Sequence, residues 1–166
     1  MIRILTVTLV FAAASVAAEK IQVHMTNREG RPAGLVTVSQ TKAGVALKGK
    51  ITGLTPGVHA FHVHQNPACV APDFTSAGPH YNPTHKKHGQ QNPEGHHVGD
   101  LNNITANARG EARINAVVSE ATLSGEGNSL LANGGTALVI HAKPDDGKSD
   151  PAGNAGDRIA CGVIKK

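Results

Sequence analysis

The sequence predicts an all-β fold, an antiparallel barrel or sandwich of eight short strands that carries two long functional loops. Three observations carry that prediction. Apolar residues alternate with polar ones at a period of two through much of the chain. With 19 Gly and 9 Pro among 166 residues, structure breakers recur too often for long helices. Only 2% of the residues are aromatic, so the core has to be built from Val, Ile, Leu and Ala. A composition of 39% hydrophobic and 17% charged residues fits one domain around one core, and excludes a disordered, solvated chain.

The first residues stand apart from that fold. Arg3 precedes an apolar run over residues 4–14, and Ser15-Val16-Ala17-Ala18 supplies small residues suited to signal-peptidase cleavage, which predicts a signal peptide over residues 1–18. The run is too short for the roughly 20 residues that span a bilayer. No Cys follows it, so no lipid or membrane anchor is expected. The domain over residues 19–166 is then an exported, mildly basic protein, periplasmic or extracellular; cleavage removes only Arg3 from a formal net charge of +4.

Strand by strand, Ile21, Val23 and Met25 alternate with Gln22, His24 and Thr26; Leu35, Val36 and Val38 begin a second run; Val45 and Leu47 alternate with Ala46 and Lys48 in a third. Turn clusters at 27–34 and 55–57 separate them. Further strands are expected at 59–65, 100–105, 112–118, 136–142 and 159–164, with a helical turn at 124–131. Two stretches resist a hairpin pattern. Residues 66–99 hold five of the nine prolines and five of the ten histidines, and residues 143–157 are rich in Asp and Gly. Loops this long inside a compact domain are usually functional. Neither has much apolar content, so a metal or a crosslink at Cys69 is expected to hold it. Cys69 and Cys161 form an even pair, and export favours a disulfide over two buried thiols.

Ten histidines against two Met and no Trp point to metal chemistry first. In His59-Ala60-Phe61-His62-Val63-His64, strand alternation puts His62 and His64 on one face and Phe61 and Val63 on the other. Alone, such a pair is as compatible with two exposed polar residues as with two ligands. His80, His88, His97 and Asp100 follow at intervals of 8, 9 and 3, and three imidazoles with one carboxylate make a closed zinc set of the structural type. His62, His64 and His141 remain, an imidazole set suited to copper or zinc. His24, His85 and His96 fall off this spacing and read as surface.

These residues sit in recognisable surroundings. The segment His59-Ala60-Phe61-His62-Val63-His64, then Ala77-Gly78-Pro79-His80-Tyr81-Asn82-Pro83, Lys87-His88-Gly89, His97-Val98-Gly99-Asp100-Leu101 and Gly153-Asn154-Ala155-Gly156-Asp157-Arg158-Ile159-Ala160-Cys161-Gly162 closely resemble the signatures of copper/zinc superoxide dismutases, bacterial exported forms in particular. The resemblance implies an eight-stranded Greek-key β-barrel. It implies copper held by His62, His64, His80 and His141, and zinc held by His80, His88, His97 and Asp100, with His80 shared. Asp145 would orient His62 and His88, Arg158 would receive the anion beside the copper, and a Cys69–Cys161 disulfide would tie the first loop to the barrel. His59 would be structural.

The implied activity is conversion of superoxide to oxygen and hydrogen peroxide by alternating copper reduction and reoxidation, a defence against oxidative stress. Compared with the eukaryotic pattern, Ala60 replaces a glycine, Ala152 replaces a channel threonine, and the 141–158 loop is shorter. The chain also stops at Ile164-Lys165-Lys166, which shortens a tail used in the eukaryotic homodimer, so a homodimer stays open while the eukaryotic geometry is not implied. The rival classes are a non-catalytic, dismutase-like copper/zinc-binding protein and a basic nucleic-acid module. The second fails for want of an aromatic platform or clustered cations, so no nucleic-acid partner is expected.

Overall fold

The structure, a computed structural model, describes residues 20–166 except Ser124 and Glu126. The expected signal peptide therefore lies outside the described residues, as does part of the expected turn at 124–131. The strands are β1 (Lys20–Asn27), β2 (Pro32–Thr41), β3 (Gly44–Ile51), β4 (Gly57–His59), β5 (Phe61–His64), β6 (Ile104–Ala106), β7 (Ala112–Val118), β8 (Thr136–His141) and β9 (Arg158–Ile164). They form one antiparallel sheet in the order β4-β6-β7-β3-β2-β1-β9-β8-β5. The two ends of that ladder are consecutive in the chain, separated by Ala60 alone. The sheet thus closes into a barrel through one bent strand, and the crossovers from β3 to β7 and from β5 to β8 give the Greek-key order.

Nine strands replace the expected eight because of that bend. Ala60 leaves the ladder: its N–H donates to Lys143 O and its carbonyl accepts from His141 N, so β4 pairs with β6 while β5 pairs with β8. The expected strand at 100–105 is reduced to Ile104–Ala106. Asp100 is turned inward, its carboxylate taken by the backbone N–H groups of Gly89 and His97, and the extended run starts only at Ile104. Residues 127–131 form no helix; a short 3₁₀ turn occurs just beyond, at Ala132–Gly134, and another at Thr75–Ala77.

Alternation places the inward residues as read. In β1, Ile21, Val23 and Met25 are buried while Gln22 and His24 are exposed. β2 and β3 add Val36, Val38, Val45, Leu47 and Ile51, and β8 adds Leu138 and Ile140. The reverse face of β8 is also covered. Ala137 and Val139 pack with Phe74, Ala77 and Cys161 in a second apolar cluster, with Cys69 against it. The 66–99 loop therefore carries more of its own anchoring than its composition suggests, since Tyr81 and Val98 enter the main core as well. The Cys69–Cys161 disulfide is present, with its Cα atoms 5.6 Å apart.

The 143–157 loop is held in a way that apolar counting could not show. Asp146 accepts from the N–H groups of Lys148 and Ser149 and from Asn154 Nδ2, and Asp150 accepts from His88 N. Carboxylates gripping local backbone donors order a loop without a core of its own.

Candidate metal centre

β5 presents His62 and His64 on the outer face of the barrel, opposite Phe61 and Val63, which lie in the core. The 66–99 loop folds across them, through isolated bridges pairing His62 with Asp100 and His64 with His80. His141 reaches the same place from the end of β8. The two β5 histidines are accordingly buried, at 0% and 1% exposure, which removes the reading as exposed strand polars. His62, His64, His80 and His141 bring one ligand atom each within 4.8 Å of one another, and so do His80, His88, His97 and Asp100. All seven residues picked from the sequence converge, with His80 in both groups.

The second group is built around Asp100 Oδ1. Nδ1 of His80, His88 and His97 lie 2.8, 3.1 and 3.2 Å from it, and the His80 and His97 nitrogens are 3.4 Å apart. A tetrahedral zinc with bonds of about 2.0 Å has ligand–ligand edges of about 3.3 Å, so these separations suit one zinc ion. Asp100 Oδ2 is meanwhile fixed by Gly89 N and His97 N. Burial alone would push the Asp100 carboxyl up, but hydrogen bonds from His80, His88 and His97 outweigh it and hold it well below the usual carboxylate range.

In the first group each ring has one nitrogen engaged and one turned inward. His62 Nε2 donates to Asp145 Oδ2 (2.7 Å), His64 Nδ1 to Gly78 O (2.8 Å) and His141 Nδ1 to Gly156 O (3.1 Å). The inward nitrogens of His64 and His141 are 3.4 Å apart. His62 Nδ1 and His80 Nε2 are buried with no hydrogen-bond partner. Two orphaned imidazole nitrogens in a buried site fit an all-nitrogen metal such as copper, because a buried acceptor without a partner otherwise costs free energy. Burial lowers the His62 and His64 pKa values and brings His80 and His141 down to about 4, so these rings are neutral and able to ligate.

Asp145 joins the two groups. Its Oδ2 takes His62 and its Oδ1 takes His88 Nε2 at 3.1 Å. His88, for which burial is outweighed by the bonds to Asp100 and Asp145, is raised to about 9. Arg158, at the start of β9, donates from Nη1 to Phe74 O and from Nη2 to Gly78 O, both at 2.7 Å. Gly78 O is also the acceptor of His64, so one carbonyl links the guanidinium to the first group of histidines. Gly78 is left-handed at φ 72, and a Cβ there would overlap the Asn66 side chain, so glycine is required.

The remaining histidines fall as expected. His59 is buried, its ring nitrogens 2.8 Å from the carbonyl oxygens of Thr55 and His141, and it belongs to neither group. His24 and His85 are exposed, and His96 faces Glu120. Sequence reasoning missed Gly78, Asp146, Asp150 and Asn103. Asp146 was findable, because Asp-Gly-Lys-Ser is a turn sequence whose carboxylate caps the following N–H groups; the others have no local signature.

Comparison with known proteins gives one reading. The family model described as "Copper/zinc superoxide dismutase (SODC)" matches residues 32–164. "Superoxide dismutase [Cu-Zn] 1" of Aquifex aeolicus is 48% identical over 152 residues, covering 89% of this chain and 90% of that one. Among solved structures, a superoxide dismutase-like protein from Bacillus subtilis superposes with a TM-score of 0.84 at 35% identity, covering 89% of this chain and 99% of that one. The Cu/Zn superoxide dismutase from Brucella abortus superposes at 0.73 and 31% identity, covering 89% and 100%.

Proposed function

The chain belongs to the copper/zinc superoxide dismutase family, and from that premise we propose that His62 Nδ1 and the Nε2 atoms of His64, His80 and His141 hold copper, while Nδ1 of His80, His88 and His97 and Oδ1 of Asp100 hold zinc. The protein is an enzyme, a superoxide dismutase with copper and zinc as cofactors, turning two superoxide anions and two protons into oxygen and hydrogen peroxide. When bound, the copper supplies the one-electron couple that takes an electron from one superoxide and gives it to the next.

The chain's own residues do the rest. Arg158, pinned by two carbonyl oxygens, presents its remaining N–H groups and its charge to the anion beside the His64 and His141 rings. His80 is the residue placed to move a proton. Its Nδ1 is committed to the Asp100 side, so Nε2 is the one ring atom that would either ligate copper or carry a proton; it would hold the proton in the half of the cycle in which it is free of the metal and release it to the product in the other. Asp145 fixes the tautomer and plane of His62 and His88 from behind, the usual task of a carboxylate next to ligating imidazoles. The Asp100 group, closed by four protein ligands, holds His80 and the 66–99 loop in place.

The observation that carries the reading is the pair of orphaned nitrogens, His62 Nδ1 and His80 Nε2. Metal analysis should find about one copper and one zinc per chain, with superoxide decay lost on chelation and regained with copper. No decay above background from protein loaded with both metals would overturn it. The non-catalytic alternative is not favoured, since all four copper-side nitrogens are present and converge.

Export belongs to the same reading. The disulfide supports an oxidising compartment, and the segment over residues 1–18 has the composition of a cleaved signal, leaving 19–166 as the periplasmic or extracellular enzyme. Among the described residues no helix is long and apolar enough to cross a membrane. Intact-mass measurement of the protein recovered from outside the inner membrane should give a first residue of Glu19; a mass that includes Met1 would refute it.

A further inference from the structure

The centre depends on Asp145, and Asp145 lies in the loop that has little apolar support. What fixes its position is therefore a question the ligand list does not answer. Gly147 N donates to its Oδ1 at 2.6 Å, and two further features converge on it. Asn103, the residue before β6, donates from Nδ2 to Asp145 O and accepts from Asp145 N at its Oδ1, both at 2.9 Å. The amide is thus paired with both backbone groups of a residue 42 positions away, as if it were the next strand of a sheet. On the other side, Gly153 lies against the carboxylate: a Cβ there would overlap Asp145 and come within 2.8 Å of His88 Nε2. Asp145 is clamped by its backbone and roofed over its carboxylate.

We propose that Asn103 is a positioning residue of the metal centre, holding the backbone of Asp145 so that its two carboxylate oxygens meet His62 and His88 together. The inference rests on the reading of His62 and His88 as copper-side and zinc-side ligands. Rotation of Asp145 by one backbone dihedral would swing the carboxylate off one ring or the other, and among the described residues no other side chain bonds the Asp145 main chain. The clamp also decides the use of Asn103-Ile104-Thr105, which has the form of an N-glycosylation acceptor. A glycan on Nδ2 takes one of its two hydrogens and crowds the Asp145 carbonyl, so a glycosylated Asn103 and an intact centre exclude each other.

The test is a double-mutant cycle read by metal affinity, with Zn(II) and Cu(II) themselves as probes against competing chelators, on wild type, Asn103→Ala, Asp145→Ala and the double variant. Loss of an outer partner of a ligating histidine typically costs 10–100-fold in metal affinity. Asn103→Ala should weaken both metals about tenfold and Asp145→Ala more. The double variant should match Asp145→Ala alone, because a clamp with no carboxylate to place has no effect. The spectrum of bound Cu(II) in Asn103→Ala should shift toward that of Asp145→Ala. Asn103→Asp, which keeps the acceptor and loses the donor, should lie between wild type and Asn103→Ala, and it serves if the alanine variant does not fold. Wild-type affinity in both Asn103 variants would overturn the proposal, as would a double variant weaker than Asp145→Ala by the full Asn103→Ala factor. Wild type failing to bind two metals would instead refute the reading of the centre.

Discussion

Reducing the Cys69–Cys161 bond isolates one strut of this architecture, because it leaves both sulfurs in place and removes only the crosslink. The cysteines are 92 residues apart. In the chain-entropy model a loop of that size restores about 4.6 kcal/mol of unfolded-state freedom when it is opened. A domain of roughly 150 residues unfolds with an entropy near 0.3 kcal/mol/K, so the midpoint of thermal unfolding should fall by about 15 °C. Metal-free protein is the right sample, since bound metal adds its own stabilisation to the folded state. The effect should extend beyond stability. Cys161 lies in the cluster with Phe74 and Ala77, and the carbonyls of Phe74 and Gly78 hold Arg158, so reduction should loosen both the loop and the docking arginine. Calorimetry with and without reductant measures the first effect. Zinc titration and superoxide decay on the reduced protein measure the second, with zinc affinity and rate both falling. A midpoint shift below about 5 °C together with unchanged zinc affinity would show that Phe74, Ala77, Tyr81 and Val98 anchor the loop without the bond, and the reasoning would fail.

Three further outcomes are expected. His62→Ala or His141→Ala should abolish dismutation while leaving zinc bound and the barrel folded, because neither side chain belongs to the Asp100 group; full activity in either, measured on copper-depleted and zinc-loaded protein, would rule out the copper assignment. Activity should fall as salt rises, and Arg158→Glu should be slower than Arg158→Ala, since glutamate repels the anion as well as losing the docking group; a rate that climbs with ionic strength would contradict this. Metal-free protein should lose stability on acidification from about pH 6.5 toward pH 4. Burial holds His64 low and His80 and His141 near 4 in the folded state, so below about 6.5 the unfolded chain binds more protons. His88, raised to about 9, acts in the opposite sense, its contribution complete below about 6.5 and lost as pH rises through 9. Urea titrations at pH 7.5 and pH 5 give the comparison, and equal midpoints would refute it.

The legible part of the fold was the part governed by short-range periodicity. Alternation identified Ile21, Val23 and Met25 as inward and placed His62 and His64 on one face, because a strand leaves a side chain only two directions. Intervals between ligand residues then grouped His80, His88, His97 and Asp100 and set His62, His64 and His141 beside them, whereas the sharing of His80 and the roles of Asp145 and Arg158 came from the family resemblance. What escaped was set by contacts between distant segments. The break at Ala60 depends on the Lys143 carbonyl, and the late start of the strand after Asp100 depends on the Gly89 and His97 amides, none of which is visible in the local pattern. Asn103 is missed for the same reason: its partner is a backbone, which has no letter in a sequence.

The acidic residues of the 143–157 loop show how this changes a functional expectation. As a string, Asp145, Asp146, Asp150 and Asp157 against Lys143 and Lys148 suggest a local field unfavourable to an anionic substrate. In the structure each carboxylate has a donor. Asp145 faces His62 and His88, Asp146 the amides of Lys148 and Ser149, Asp150 the amide of His88 with Lys87 beyond it, and Asp157 the guanidinium of Arg28. Partial positive charge from those donors offsets much of the negative charge within a few ångströms, well inside the screening length of about 8 Å at physiological ionic strength. Arg158, by contrast, spends its hydrogen bonds on two neutral carbonyls and makes no direct ion pair among the described residues, Asp73 acting on it only from a distance. The net sign at the site is thus decided by which charges are already partnered, and that is why one arginine can steer an anion past four carboxylates.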